Sequence, residues 1–429
     1  MMINMLRQAQ KVRIYPTDEQ KQQLAGAMGC SRWWWNFALN KSIETYKETG
    51  KGLSRAGLNA LLPNLKEEHE WLRTEVYSQS LQQTSLNLSR AFINFFEKRA
   101  RFPRYKSKHG KQSVGFPQSV KITGDGIKLP KIGLVKAVFD RRYFGTIKTV
   151  TITKDSSDRY FASILYEIEA CFVSGNGDKI IGLDLGIKDF CIAHDGTKTS
   201  KYANPRHFKK YERNLARKQQ KLFRKQKGSK TRQKAKKLVA KVHVRISNAR
   251  QDFLHKLSRK LTNESKVVVV ENLFLNGSLM GETPKTAPVR NVKGMVRNHK
   301  LAKLISDVGW GMFVNFLSYK LERENKRLVE IDRWFPSSHI CPDCLTQTPK
   351  IDLSIREWTC LNTTCGKTHD RDEAASRNIR AEGIRIIKAD GTAVSASGGS
   401  VRPDRGRKTK VRQHPAKLET QSSPLGRAE

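Results

Sequence analysis

Ile180-Ile181-Gly182-Leu183-Asp184-Leu185-Gly186-Ile187 is the stretch on which the fold turns. From Lys179 to Asp184 the run is almost continuously apolar, the composition of a strand buried on both faces of a helix-covered sheet. It ends on a carboxylate, Asp184, which is costly in apolar surroundings unless it meets a cation. Gly186 turns the chain, and Phe190 to Ala193 brings it back as a second strand. The same pattern recurs at Val267-Val268-Val269-Val270-Glu271, four valines closed by an acid. A third acid, Asp372, opens a helix expected over His369–Ile387.

Between these stretches the spacing predicts a basic helical segment over Arg206–Lys260, a helix over Asn298–Glu324 and a strand over Arg327–Ile331. The order is strand with Asp, hairpin, helix, strand with Glu, helix, strand, helix with Asp. That is the layout of the ribonuclease-H-like fold, in which such acids meet at one edge of the sheet. Any one of these carboxylates alone would read as an ordinary salt bridge. Three that converge repel one another, and divalent metal relieves the repulsion. Two Mg²⁺ ions about 3.5–4 Å apart can deprotonate a water and stabilise the leaving oxygen of a phosphodiester.

Cys341 and Cys344 are spaced C-x2-C, fifteen residues intervene, and Cys360 and Cys365 are spaced C-x4-C. Four soft ligands in two knuckles suit a tetrahedral, structural Zn²⁺ better than a redox C-x-x-C. Such a ribbon should brace the segment between the last strand and the helix of Asp372. Cys30, Cys171 and Cys191 lie in otherwise apolar segments, so a disulfide scaffold is not expected.

The bulk numbers agree with a polyanionic partner. The chain has 429 residues, with 81 Lys plus Arg against 40 Asp plus Glu, a formal charge of +41 and a pI near 10.2. So large an excess repels itself unless nucleic acid neutralises it. A membrane surface is the other candidate, but no run approaches the roughly 20 apolar residues of a membrane span, and the first thirty residues lack a signal-peptide core. Arg206–Lys260 alone holds 21 Lys or Arg against Glu212 and Asp252. Val242, Ile246, Ala249, Phe253 and Leu257 recur there at helical spacing, leaving a one-sign outer face suited to phosphate, with Lys218, Lys221, Arg224 and Lys225 among its candidate contacts.

Towards the N-terminus, Gln10–Tyr15 reads as a strand stopped by Pro16. Thr17 is an N-cap, and Gln20 completes a capping box. Helix follows to about Ala100, with Leu81, Ser85, Leu88, Phe92 and Phe95 on one stripe. Trp33-Trp34-Trp35 and Phe37 read as core, with base stacking as the minor reading. In Arg101–Gln118, Phe102, Pro103, Tyr105 and Phe116 alternate with Arg101, Arg104, Lys106, Lys108 and Lys111. This segment is either a loop lying on a phosphate backbone or a solvated basic linker. Val120–Ile168 is strand-rich and suits a small antiparallel β domain. From Asp390 to Glu429 no aromatic occurs, and disorder is expected.

With these residues in hand, the chain resembles TnpB, the RNA-guided nuclease family of bacterial insertion sequences related to the type V CRISPR effectors. The resemblance covers roughly residues 5–385. It is carried by Arg13-Ile-Tyr-Pro-Thr, Gly29-Cys-Ser-Arg, Phe102-Pro-Arg-Tyr-Lys-Ser-Lys, Gly182-Leu-Asp-Leu-Gly, Val270-Glu-Asn-Leu, Trp334-Phe-Pro-Ser-Ser, the cysteine ribbon and Asp370-Arg-Asp. It implies an α/β multidomain protein: a RuvC-type nuclease domain, split in sequence, with an inserted zinc ribbon, a helical recognition lobe and a small β wedge. The expected boundaries are 1–16 (first wedge segment), 17–100 (recognition lobe), 101–176 (wedge), 177–335 (nuclease), 336–368 (zinc ribbon), 369–388 (nuclease) and 389–429 (basic tail).

By motif match Asp184, Glu271 and Asp372 take the catalytic positions. The family usually has Asn two residues after the third Asp, where this chain has Ala374, so Asp370 is the competitor and Asp372 is favoured. The second cysteine knuckle is longer than usual, which two looped-out residues from Leu361–Thr364 accommodate. The implied cofactors are Mg²⁺ (or Mn²⁺) and Zn²⁺. The implied partners are a guide RNA from the transposon end and double-stranded target DNA cut beside a short adjacent motif, with a monomeric protein acting in the bacterial cytoplasm on the nucleoid. Two rivals remain: a guide-loaded repressor without cutting activity, and a transposase acting without RNA.

Overall fold

Thr17 begins the first helix as its sequence requires. Its hydroxyl accepts from the Gln20 amide, and the Gln20 side chain returns the bond to the Thr17 amide. The computed structural model describes residues 5–141, 145–169, 177–272, 299–332, 334–349, 354–397, 401–402 and 412–413. These fall into two units, Met1–Cys171 with Phe208–Asn248 and Asn276–Arg297, and Phe172–His207 with Ala249–Leu275 and Asn298–Glu429. Cys171 and most of the tail from Asp390 lie outside the described residues.

In the first unit β1 (Met5–Tyr15) leads into α1 (Asp18–Thr49), the short helices α2 (Arg55–Ala60), α3 (Leu62–Glu68) and α4 (Glu70–Thr74), and α5 (Ser78–Phe96). Strands β2 (Gln112–Phe116), β3 (Lys121–Ile122), β4 (Gly126–Leu129), β5 (Gly133–Val138), β6 (Thr146–Lys154) and β7 (Tyr160–Glu169) follow. They join β1 in an antiparallel sheet of order β2-β6-β7-β1-β5-β4-β3. The tryptophans are core: Trp34 and Trp35 are buried, the Trp34 indole donates to Ser85 Oγ at 3.0 Å, and Trp33 meets Trp71 edge-on. Arg101–Gln118 is not wholly a loop. Its last part is β2, and Phe116 is buried against α5 and the sheet rather than offered to a base. The basic stretch after Arg206 is two helices, α6 (His207–Phe223) and α7 (Lys230–Glu264), separated by a turn.

The second unit holds a five-stranded sheet. β8 (Lys179–Leu185), β9 (Asp189–His194) and β10 (Thr199–Ala203) form an antiparallel meander. β11 (Ser265–Glu271) lies parallel to β8 on one side and to β12 (Arg327–Ile331) on the other. The order β10-β9-β8-β11-β12 is that of a ribonuclease-H-like sheet. The four valines are buried on both faces, as their composition demands. Val268 and Val270 pack with Phe313, Leu317 and Leu321, while Val267 and Val269 pack with Ile379. The helix expected over Asn298–Glu324 is two, α8 (His299–Val308) and α9 (Trp310–Arg323), because Gly309 between them is left-handed at φ 74°. The last helix, α10 (Arg371–Ser397), starts two residues later than expected and runs ten residues past Ile387. His369 belongs instead to β14 (Thr368–Asp370), paired with β13 (Glu357–Thr359) in the cysteine ribbon.

α10 lies on the sheet by close backbone approach. A Cβ on Gly182 of β8 would sit 2.4 Å from the Ser376 carbonyl oxygen and 2.6 Å from the Arg380 amide nitrogen. One on Gly383 would sit 2.3 Å from a Val269 methyl. Glycine at these two places lets the helix that carries Asp372 seat against the strands that carry Asp184 and Glu271. Among the described residues no helix is long and apolar enough to cross a membrane.

Candidate active site and metal centre

Val270 pairs with Leu183 across the parallel β11–β8 ladder, so the next residues, Glu271 and Asp184, stand level at the carboxyl end of the sheet. Asp372 reaches the same place from the first turn of α10. Asp184 feels the other two carboxylates. Burial, then the charges of Asp372 and Glu271, push the Asp184 carboxyl up to about 7, with Arg371 opposing. Burial raises Glu271 as well. A buried carboxylate with two further acids near it is a site short of positive charge, which a divalent cation would supply.

Asp370 is differently employed. Its Oδ1 accepts from the amides of Asp372 and Glu373, both at 3.0 Å, which makes it the N-cap of α10. Its Oδ2 pairs with Lys201 Nζ at 3.0 Å, and the same ammonium meets Glu373 at 2.9 Å. Desolvation opposes, but the backbone bonds and Lys201 hold its pKa below the usual range. Lys201 and Arg356 are site residues that sequence reasoning missed. The Arg356 guanidinium spans both Asp372 oxygens at 3.3 and 3.0 Å, and its carbonyl accepts from the Arg371 amide. Neither lies in a motif, and only the folded ribbon and hairpin bring them to the acids.

Among the described residues, the four cysteines and the group Cys341–Asp343–His369 each draw their ligand atoms within 4.8 Å of one another, whereas the three carboxylates are more widely set. Ligands of one Mg²⁺ at about 2.1 Å lie within about 4.2 Å of each other. The three carboxylates do not meet this spacing as a group.

The sulfurs of Cys341, Cys344, Cys360 and Cys365 converge, with Cys341–Cys365 at 3.8 Å and Cys344–Cys360 at 3.4 Å. Tetrahedral Zn²⁺ with bonds near 2.3 Å needs sulfurs about 3.8 Å apart, so the donor set fits. The long second knuckle is closed by Asn362, whose carbonyl accepts from the Cys365 and Gly366 amides. His369, also missed, is buried with Nε2 3.2 Å from Cys341 Sγ, one residue before the cap of α10.

The basic residues divide. Lys106 lies 3.6 Å over the Trp35 ring, and burial lowers its pKa to about 8. Tyr105 donates to Asn40, and Arg104 lends its carbonyl to the Trp35 indole. This segment is therefore docked on α1, although Arg101, Arg104 and Lys108 keep exposed side chains. Lys218, Lys221 and Arg224 line a groove of about 380 Å³ between α6 and α7, and Lys225 is exposed in the turn beyond it.

A relative from Streptomyces pristinaespiralis named "Putative RNA-guided DNA endonuclease" is 35% identical over 94% of this chain and 94% of its own length. The chain belongs to the TnpB family. A second member, "Putative RNA-guided DNA endonuclease InsQ" of Escherichia coli K12, is 30% identical over 89% of this chain and 93% of its length. Family models described as "Probable transposase", "Cas12f1-like, TNB domain" and "Helix-turn-helix domain" match residues 163–280, 310–379 and 2–51. The second spans the cysteine ribbon and Asp372. The third covers one strand and one 32-residue helix here, not two helices about a turn. The solved Cas12f1–sgRNA–target DNA complex covers 88% of this TnpB-family chain and 99% of that one at 12% identity, with a TM-score of 0.48.

Proposed function

We propose that the chain is an RNA-guided DNA endonuclease that hydrolyses phosphodiester bonds in target DNA beside a short adjacent motif. What supports this reading is that Asp184 and Glu271 stand level at the end of the sheet, with the charge of Asp372 near enough to act, after burial, on the buried Asp184. Asp184, Glu271 and Asp372 would hold the two Mg²⁺ or Mn²⁺ ions. Such ions, when bound, activate water and stabilise the leaving oxygen. The rest falls to the chain's own groups. Asp370 and Lys201 fix the first turn of α10 and so aim Asp372. Arg356 holds the Asp372 carboxylate in place from the ribbon side. The zinc ribbon holds Arg356 and the start of α10 in one piece through the β13–β14 pair.

Target choice belongs to a guide RNA from the transposon end. The helical segment 17–100 and the β-rich segment 101–176 would serve as recognition lobe and wedge, with exposed Arg101, Arg104 and Lys108 on phosphates. The charge of +41 then has its counterpart in RNA, and a monomeric ribonucleoprotein would act on the nucleoid in the bacterial cytoplasm. The test is cleavage of a plasmid by the purified RNA-loaded chain with Mg²⁺, with EDTA, and after RNase. Cutting that needs both metal and RNA supports the reading. Binding without cutting identifies a repressor, and cutting or joining that survives RNase identifies a transposase.

A further inference from the structure

The most exposed aromatic on the basic helices is Phe223, the last residue of α6, with 76% of its surface open. Its position does not follow from core packing. The α6–α7 core is Leu215, Val242 and Ile246 with Phe208, Tyr211 and Val239, and Phe223 lies outside it. Nor is the tip loosely held. Arg232 of α7 donates from Nη1 to the carbonyls of Leu222 at 3.0 Å and Lys225 at 2.6 Å, and Ser229 Oγ accepts from the Arg232 amide at 3.1 Å. The next residue in the chain, Arg224, lines a groove of about 380 Å³ together with Arg217, Lys218 and Lys221. Among the described residues no acid pairs with any of these four cations. An exposed apolar ring next in sequence to one of four unpaired cations, on a tip whose backbone is tied down, brings together the two parts that single-stranded nucleic acid requires, a stacking face and a phosphate track.

We infer that the α6–α7 tip is a stacking site for an unpaired base of the guide RNA, with Phe223 under the base and Arg217, Lys218, Lys221 and Arg224 on the flanking phosphates. The inference rests on the RNA-guided reading above. Guide RNA is the occupant rather than target DNA because the cations have no internal partner. A partner that stays bound neutralises them throughout, whereas a transient target would leave them repelling one another. A duplex cannot serve, since its bases offer no free face.

The test uses the full chain freed of RNA, with a short oligouridylate, the matching single-stranded oligodeoxyuridylate and a blunt RNA duplex as probes. Phe223→Ala should weaken oligouridylate binding about tenfold without changing its dependence on salt, and Phe223→Trp should restore it. Lys221→Ala should instead reduce the slope of log affinity against log salt by about 0.7. Photo-crosslinking to the oligouridylate should mark the peptide containing Phe223. Phe223→Ala binding as the parent does, an equal loss on duplex RNA, or a loss confined to DNA would each overturn the inference. If the parent chain binds no RNA at all, the RNA-guided reading itself fails, which is a different result.

Discussion

Two aspartates two residues apart have opposite jobs here, and the difference is which atoms they face. Asp370 turns its oxygens to the first amides of α10 and to Lys201, while Asp372 faces Asp184 and Arg356. Asp184→Ala should therefore reduce cutting by at least about 10²–10³-fold while RNA and DNA binding persist. Loss of binding alongside would make that acid structural. Asp370→Ala should cost about 1 kcal/mol of stability as a lost cap and keep most of the cutting. Cutting as poor as that of Asp184→Ala would make Asp370 the ligand. The Asp184 titration has a sign that can be checked. Its pKa is raised from 3.8 in the free side chain to about 7 in the fold, so the native state holds the proton. Its stabilising contribution is full below pH 4 and is lost as pH rises through 7. On the proposed reading Mg²⁺ would take the place of that proton, so added Mg²⁺ should raise Tm more at pH 8 than at pH 5. An equal rise at both pH values would count against metal at Asp184.

At the scale of elements, α10 brings the third acid to the sheet through contacts that leave no room for a side chain. Gly182→Ala places a methyl against the Ser376 carbonyl. The change should cost about 1–3 kcal/mol and lower cutting more than binding, because Asp372 moves with the helix. A variant with parental Tm and parental cleavage would show that the seating is not tight. The cysteine ribbon pairs β13 with β14 directly ahead of α10. Cys341→Ser should lose zinc by metal analysis and melt earlier, and an unchanged melting curve would remove the structural-zinc proposal. Most elements were legible because their periodicity is strong: the capped α1, the apolar β8 and the four valines of β11. Those misread were short or broken. β2 was hidden in a basic, aromatic run, Gly309 split one helix pattern into two, and His369 was taken into a helix although it pairs in a β-ribbon.

For the whole molecule, a charge of +41 without its polyanion should be self-destabilising. RNA-free protein should gain Tm as salt is added, through screening, and gain more from RNA than from salt. A preparation whose Tm is indifferent to both would show that the excess charge does no work on nucleic acid.

Sequence by itself determined which segments are apolar on both faces, where each ends on an acid, that four thiols are spaced for zinc, and that the chain carries a large excess of positive charge. These are properties of neighbours along the chain, set by period, composition and spacing. Only the tertiary structure decided that Lys201 and Arg356 stand at the acids, that Asp370 is a cap, and that Tyr105 and Lys106 are bound to α1. Such pairings join residues brought together by folding, and nothing in the local sequence records which distant group a side chain will face.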